Sequence, residues 1–338
     1  MSPRRVRNWF LRRPRVRGGS AVAAAIAFGL LVGAFGAIPV FSQTVTLTAL
    51  RAAVAVNEAD PWATVWDNAP FQAVPLSAQN IAPPFGGGTV ATLTARALHD
   101  GERLFLNLEW SDGEANTAVN GYEQFADAAA VQFPAGSASS LPPFTMGGRD
   151  AQVNIWQWKA LWQADIADGF ATTLTRYPNT LVDDYPGSGT LYRPAEHVGN
   201  PLAAREHASP VENLIAQGFG TLTTADVQDV AGAGVWRDGK WRALFARDFA
   251  AADDGLVSFA EGSATRIAFA IWDGEDGDRN GQKSIAPWIE LAIGEGEAGA
   301  AADGNNGTLL IIIFALIASL ALAVYFYTVR TSKTADAA

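Results

Sequence analysis

The 338-residue chain contains no cysteine. That excludes a covalently attached haem of the Cys-x-x-Cys-His type, a cysteine-held iron–sulfur cluster, a thiolate zinc site and any disulfide framework. Methionine is almost as scarce, with Met1 and Met146 the only two. The three histidines, His99, His197 and His207, sit apart in polar or loop-like settings without metal-type pairing. No nucleophile elbow, phosphate-binding glycine loop or His-Glu-x-x-His motif is present. No catalytic constellation emerges from these residues.

Acids are missing from the first nineteen residues, which carry seven arginines. An uncharged stretch follows from Ser20 to Thr44, apolar from Ala21 to Phe41 and about the length that crosses a bilayer. It is longer than a usual signal-peptide core, so an uncleaved anchor over 20–43 is expected, with cleavage near Ser42 as the alternative. A second apolar run, Leu309 to Val329, ends in aromatics followed by Arg330 and Lys333. The basic flanks place both tails in the cytoplasm and the segment between them on the outer face. Neither run holds His, Met, Lys, Asp or Glu, so both read as anchors and not as electron or ion paths.

Basic residues are few in the segment between. Totals of 24 basic and 34 acidic residues, less the seven N-terminal arginines and Arg330, Lys333 and Asp336, leave 15 basic and 33 acidic, a net of −18. Such a domain has no phosphate-neutralising patch for nucleic acid. Its acidity suits solubility or a basic soluble partner.

Short runs of period-2 alternation bounded by Gly, Asp and Pro predict an all-β outer domain over 45–297, a two-sheet β-sandwich. The expected strands cover 89–98, 103–110, 127–133, 153–158, 241–247, 264–272 and 284–292, and Asp238-Gly239 signals a hairpin turn. A Gly/Pro-rich stretch at about 168–233 reads as a long central insertion. Residues 298–307 read as a flexible tether to the helix over 308–329, and 330–338 as a cytoplasmic tail. The acid-rich run Asp273 to Gly281 lacks the closing glutamate of a calcium loop and reads as an acidic hairpin loop.

Met146 lies in Pro142-Pro-Phe-Thr-Met-Gly-Gly148, a loop between two strand-like runs. A thioether is a soft ligand that holds haem iron and raises its potential. With cysteine absent, a non-covalent haem is the redox centre that Met146 could serve; otherwise it is a gap-filling core side chain. Phe144, Trp156 and Trp158 are close in sequence and are candidate apolar walls.

Several ordered segments carry a family resemblance. Phe125 to Pro134, Pro142 to Gly147, Val153 to Ala160, Gly218 to Thr223, Gly234 to Trp241 and Ala268 to Gly274 through Lys283-Ser284 resemble the haem-b-binding γ subunits of ethylbenzene dehydrogenase and its relatives. The similarity covers about residues 58 to 293. It implies a β-sandwich holding one non-covalent haem b between a methionine and a lysine. It also implies single-electron exchange between an iron–sulfur subunit of a molybdenum enzyme and an outside carrier. Met146 matches the family methionine. Lys283, just before the last strand, stands where the second ligand tends to fall, with Lys240 and Lys159 as alternatives. The implied partners are the iron–sulfur and molybdopterin subunits, or a membrane cytochrome or basic soluble cytochrome. The soluble γ subunits of this family lack a C-terminal anchor, which this chain is expected to have. The alternative is a membrane-tethered sugar- or ligand-binding module without haem, with Trp62, Trp66, Trp110 and Trp288 as a stacking platform.

Overall fold

The computed structural model describes residues 45–119, 121–136, 140–180, 194–200 and 203–299. Both expected membrane segments, 20–43 and 308–329, and the tails lie outside these residues, as does the tether beyond Gly299. Among the described residues no helix is long and apolar enough to cross a membrane.

The strands in chain order are β1 (Thr46–Arg51), β2 (Phe71–Pro75), β3 (Ser77–Ala78), β4 (Thr92–His99), β5 (Arg103–Ser111), β6 (Ala128–Pro134) and β7 (Val153–Lys159). They continue with β8 (Val211–Ala216), β9 (Thr223–Thr224), β10 (Ala231–Arg237), β11 (Lys240–Asp248), β12 (Ala264–Trp272) and β13 (Ser284–Glu297). Helices are short: α1 (Ala160–Asp168), α2 (Thr173–Arg176) and α3 (Pro194–His197). Seven of the expected strands are present with ends shifted by a few residues. The Asp238-Gly239 turn joins β10 to β11, with both residues at positive φ, the geometry of a two-residue hairpin.

The expected two separate sheets are, in fact, halves of one. The hydrogen-bonded path runs β10-β11-β5-β4-β1-β13-β12-β6-β7-β8-β9, with β2 on β4 and β3 on β13. β1 is the stitch, parallel to β4 on one side and to β13 on the other. The sheet curls so that its halves face each other across a common core. Trp158 of β7 packs against Trp241 of β11 at 4.9 Å and Trp110 of β5 at 6.1 Å between ring centroids.

Strand alternation assigns each side chain to a layer. Leu104, Leu106, Leu108 and Trp110 of β5 face the common core with Val131 and Phe133 of β6 and Trp156 and Trp158 of β7. The opposite face of β4, β5 and β11 is buried too, because residues 52–69 fold over it and place Trp66 against Leu98, Phe105 and Leu244. The opposite face of β6, β7, β8 and β12 carries Ala128, Ala130, Ile155, Leu214 and Trp272.

The central insertion is shorter than expected. β8 and β9 lie within 168–233, β8 pairing with β7 and β9 with β8, so the irregular part ends near residue 210. β8 is buried on both faces, and its Glu212 and Asn213 interrupt the alternation that would have marked it.

The two halves meet most tightly where Gly234 of β10 lies under the Trp158 indole; a Cβ there would overlap the ring. Gly234→Ala is expected to cost about 1–3 kcal/mol by overpacking, read as a lower denaturation midpoint with unchanged slope.

Candidate functional site

A cavity of about 740 Å³ lies on the outer face of the β13-β12-β6-β7-β8 half. Its floor is made by side chains of alternate strand positions, with Ala130 from β6 and Ala268 and Ala270 from β12. Ala270 is paired with Ala130 and Ala268 with Gln132 across the β6–β12 ladder. Three methyl side chains on neighbouring strands leave a low surface where larger residues would fill the space. Ile155, Gln157 and Lys159 of β7 and Glu212 and Leu214 of β8 continue the wall. Loops close over it and bring Pro83, Phe144, Met146, Phe219, Leu222 and Lys283 to its lining.

Met146 is held on a strap pinned at several points. Gln132 donates from Nε2 to the Phe144 carbonyl at 3.0 Å, and the Trp288 indole donates to the Pro142 carbonyl at 2.7 Å. The Gly147 amide donates to the Pro143 carbonyl at 2.9 Å, and Gly218 N–H to the Met146 carbonyl at 2.8 Å. Met146 itself has φ of 68°, the left-handed region that a side chain adopts at a cost of order 1–3 kcal/mol. Gly147 follows at φ 75°, where a Cβ would stand 2.6 Å from the Ala151 carbonyl oxygen, so only glycine fits. The strap thus presents the thioether to the cavity on an over-determined backbone.

Lys283 enters from the loop before β13. Its carbonyl accepts from Gln79 N–H at 3.0 Å. No carboxylate pairs with its ammonium among the described residues, and its nearest recorded partner is the Trp272 ring at 4.6 Å. Part of the side chain faces the open cavity, but the protein desolvates the amine and pushes its pKa down from 10.5 to about 8. Lys159 shares the cavity in a different state. It forms an ion pair with Glu212, which also accepts from Thr224 Oγ1 at 2.6 Å, and it lies 4.0 Å over Trp162. Burial lowers its pKa while Glu212 opposes the shift. Lys240 is outside the cavity, exposed at the start of β11 and paired with Glu109 at 3.2 Å.

Of the aromatic residues expected as walls, Phe144 lines the cavity. Trp156 and Trp158 do not: they occupy the alternate positions of β7 and point into the common core, with Trp156 at 4.7 Å from Phe133. Proximity in sequence to Met146 is overridden by the two-residue period of the strand. Trp272 is the tryptophan that lines the cavity. The tryptophans considered as a sugar platform are engaged elsewhere. Trp66 and Trp110 are buried, Trp62 lies beneath Arg242 at 3.9 Å, and Trp288 is tied to the Met146 strap. The alanine floor was readable as the opposite face of the expected strands; Glu212 was hidden with β8.

The family model described as ethylbenzene dehydrogenase matches residues 63–284, and the chain belongs to the γ-subunit family of ethylbenzene dehydrogenase-like complexes. Relatives include the chlorate reductase subunit gamma of Ideonella dechloratans, 30% identical over 81% of this chain and 94% of that protein. A candidate respiratory nitrate reductase heme subunit of Haloferax mediterranei is 26% identical over 85% of this chain and 88% of its own length. The dimethylsulfide dehydrogenase subunit gamma of Rhodovulum sulfidophilum is 28% identical over 58% of each chain. Among solved structures, a family 9 carbohydrate-binding module of Caldicellulosiruptor kristjanssonii with glucose aligns over 77% of this chain and 99% of its own, at 8% identity and a TM-score of 0.37, too low to bear on fold or function.

A buried, unpaired ammonium destabilises the fold that holds it. Lys283→Met is therefore expected to raise the unfolding midpoint of the cofactor-free protein at pH 7. Because the folded pKa lies below the unfolded value, the penalty is full below about pH 8 and is relieved as the pH rises toward about 10.5. The gain from the substitution should shrink over that window in thermal melts.

Proposed function

We propose that this chain is a haem b-binding electron-transfer subunit of a molybdenum oxidoreductase-type complex. The observation that carries the proposal is the meeting of Met146 and Lys283, 137 positions apart in sequence, on one largely apolar cavity. The cavity volume falls in the roughly 300–1,000 Å³ range of cofactor clefts, and its alanine floor suits a flat macrocycle. Haem b would supply reversible one-electron chemistry there.

The chain's own residues do the rest. Met146 offers a neutral, soft donor that favours the reduced state of iron and raises the potential. Lys283 offers an amine, which can donate a lone pair only when deprotonated. The desolvation that lowers its pKa reduces the cost of reaching that form. Lys159, already committed to Glu212, is not a donor in this reading. Lys240 is a surface cation. Phe144, Phe219 and Leu222 screen the cavity from water.

The relatives named as subunits of chlorate reductase and dimethylsulfide dehydrogenase support iron–sulfur and molybdopterin chains as partners. The basic flanks and two apolar runs support placement at the cytoplasmic membrane with the β domain on its outer face. In that arrangement the subunit exchanges electrons with a membrane cytochrome or a basic soluble carrier.

Full-length protein produced with haem supply is expected to show a b-type reduced-minus-oxidised spectrum at one haem per chain. Met146→Ala and Lys283→Ala should each weaken haem retention by about tenfold or more, by analogy with the loss of ligand-shell groups, whereas Lys240→Ala should leave the spectrum unchanged. A haem-free wild type, or an unaltered spectrum in both ligand variants, refutes the assignment.

A further inference from the structure

Three buried acids, none of them in the cavity lining, lie together at the strand ends. Asp112 follows β5, Asp127 precedes β6 and Asp273 follows β12, at 4%, 0% and 8% exposure. One carboxylate oxygen from each lies within 4.8 Å of the others. No arginine or lysine forms an ion pair with any of the three among the described residues.

Backbone and indole donors satisfy part of this cluster. Asp127 accepts from Gly274 N–H at 2.8 Å, Asn116 N–H at 2.7 Å and the Trp241 indole at 2.9 Å. Asp273 Oδ1 accepts from Glu275 N–H at 3.0 Å, and Asp112 Oδ1 from Glu114 N–H at 3.0 Å. Two acceptors remain. Asp112 Oδ2 is sealed from solvent and has no hydrogen-bond partner, and so is the side-chain oxygen of Asn116. The Trp110 indole is near Asp112 but outside hydrogen-bond geometry. Buried acceptors without donors are rare and costly in native proteins.

The electrostatics agree. Burial, then the Asp273 charge, pushes Asp112 up to about 6; burial, opposed in part by the Gly274 amide, leaves Asp127 at about 7. Glu275 adds a further negative charge facing Asp112. These groups are held together against their own repulsion by the ends of three different strands. A hard cation removes that conflict and can supply a partner to the orphaned Asp112 oxygen.

We propose that Asp112, Asp127 and Asp273 form a structural calcium site distinct from the haem cavity. Calcium takes six to eight oxygens at roughly 2.3–2.6 Å in a flexible geometry that mixes carboxylates, backbone carbonyls and water, a set that acids drawn from three separate strand ends can begin. The smaller magnesium needs a tighter octahedron. The site ties the end of β5 and the start of β6 to the loop between β12 and β13. That loop passes through Asp278, which accepts from Gly88 N–H at 2.9 Å, and leads to Lys283. The acidic run reads as a hairpin loop by spacing alone because two of its three ligating acids are distant in sequence.

The test uses the full chain purified in detergent and stripped with a chelator, with Ca²⁺, Mg²⁺ and Tb³⁺ as probes. Ca²⁺ is expected to raise the melting temperature by several degrees and to bind at one equivalent per chain by calorimetry, with Mg²⁺ at least tenfold weaker. Tb³⁺ should show luminescence sensitised by Trp110 and Trp241, displaced by Ca²⁺. In Asp112→Asn and Asp273→Asn both responses should be lost, while the metal-free variants melt at or above the metal-free wild type because repulsion is reduced. A wild type with no calcium-dependent shift and no stoichiometric binding overturns the site. So does a response that persists undiminished in both variants. None of these readouts depends on haem.

Discussion

The two-residue period of the β-strand is the constraint on which the rest of this molecule depends. On β6, β7 and β12 it sends one set of side chains inward, Val131, Phe133, Trp156, Trp158, Ile267 and Ile271, to build the shared core. The intervening set faces outward and is small or functional: Ala130, Ile155, Gln157, Ala268, Ala270. A single residue of slip would exchange the two sets, put tryptophans into the cavity and bury Lys159 in the core. Structure and site are therefore specified by the same registers. Burying several tryptophans on one face, each worth roughly 2–3 kcal/mol or more, protects the geometry of the other.

The cavity shows how stability is traded for chemistry. Met146 sits at an unfavourable φ, and Lys283 is desolvated without a counter-charge. Neither feature helps an empty protein fold. In the proposed haem-binding role both would serve an iron ligand pair: a donor fixed in direction, and an amine whose neutral form desolvation favours. The Lys159–Glu212 pair a short distance along the same wall is the contrasting case, a lysine whose charge is answered and which the fold can hold without a cofactor.

Much of this was legible in the residues. Alternation marked most long strands, and the absence of cysteine left Met146 as the one soft donor outside the initiator. What alternation could not show was which face of a strand meets which layer. That is why Trp156 and Trp158, near Met146 in sequence, were expected at the cavity and stand in the core. β8 escaped because Glu212 and Asn213 are buried polar residues satisfied by distant partners, Lys159 and Asp229 among them. β1 escaped because six residues following an apolar run carry little pattern of their own. The pairing of Lys283 with Met146 came only from family resemblance; spacing alone left three lysines open.

β1 also carries a lesson about order in time. It is synthesised at the start of the β domain, yet one of its two partners, β13, is synthesised at the end, with Thr46 opposite Glu290. Remove it and the path divides between β4 and β13 into two sheets with no ladder joining them. Sequence separation this large slows closure, since loop entropy is lost before the contacts repay it. The nascent domain must keep β1 and β12 open-edged until β13, the last strand, arrives between them, a period in which their free backbone groups can recruit other chains. The strand that unites the two halves is thus also the point at which a delay in folding would leave the protein most prone to aggregate.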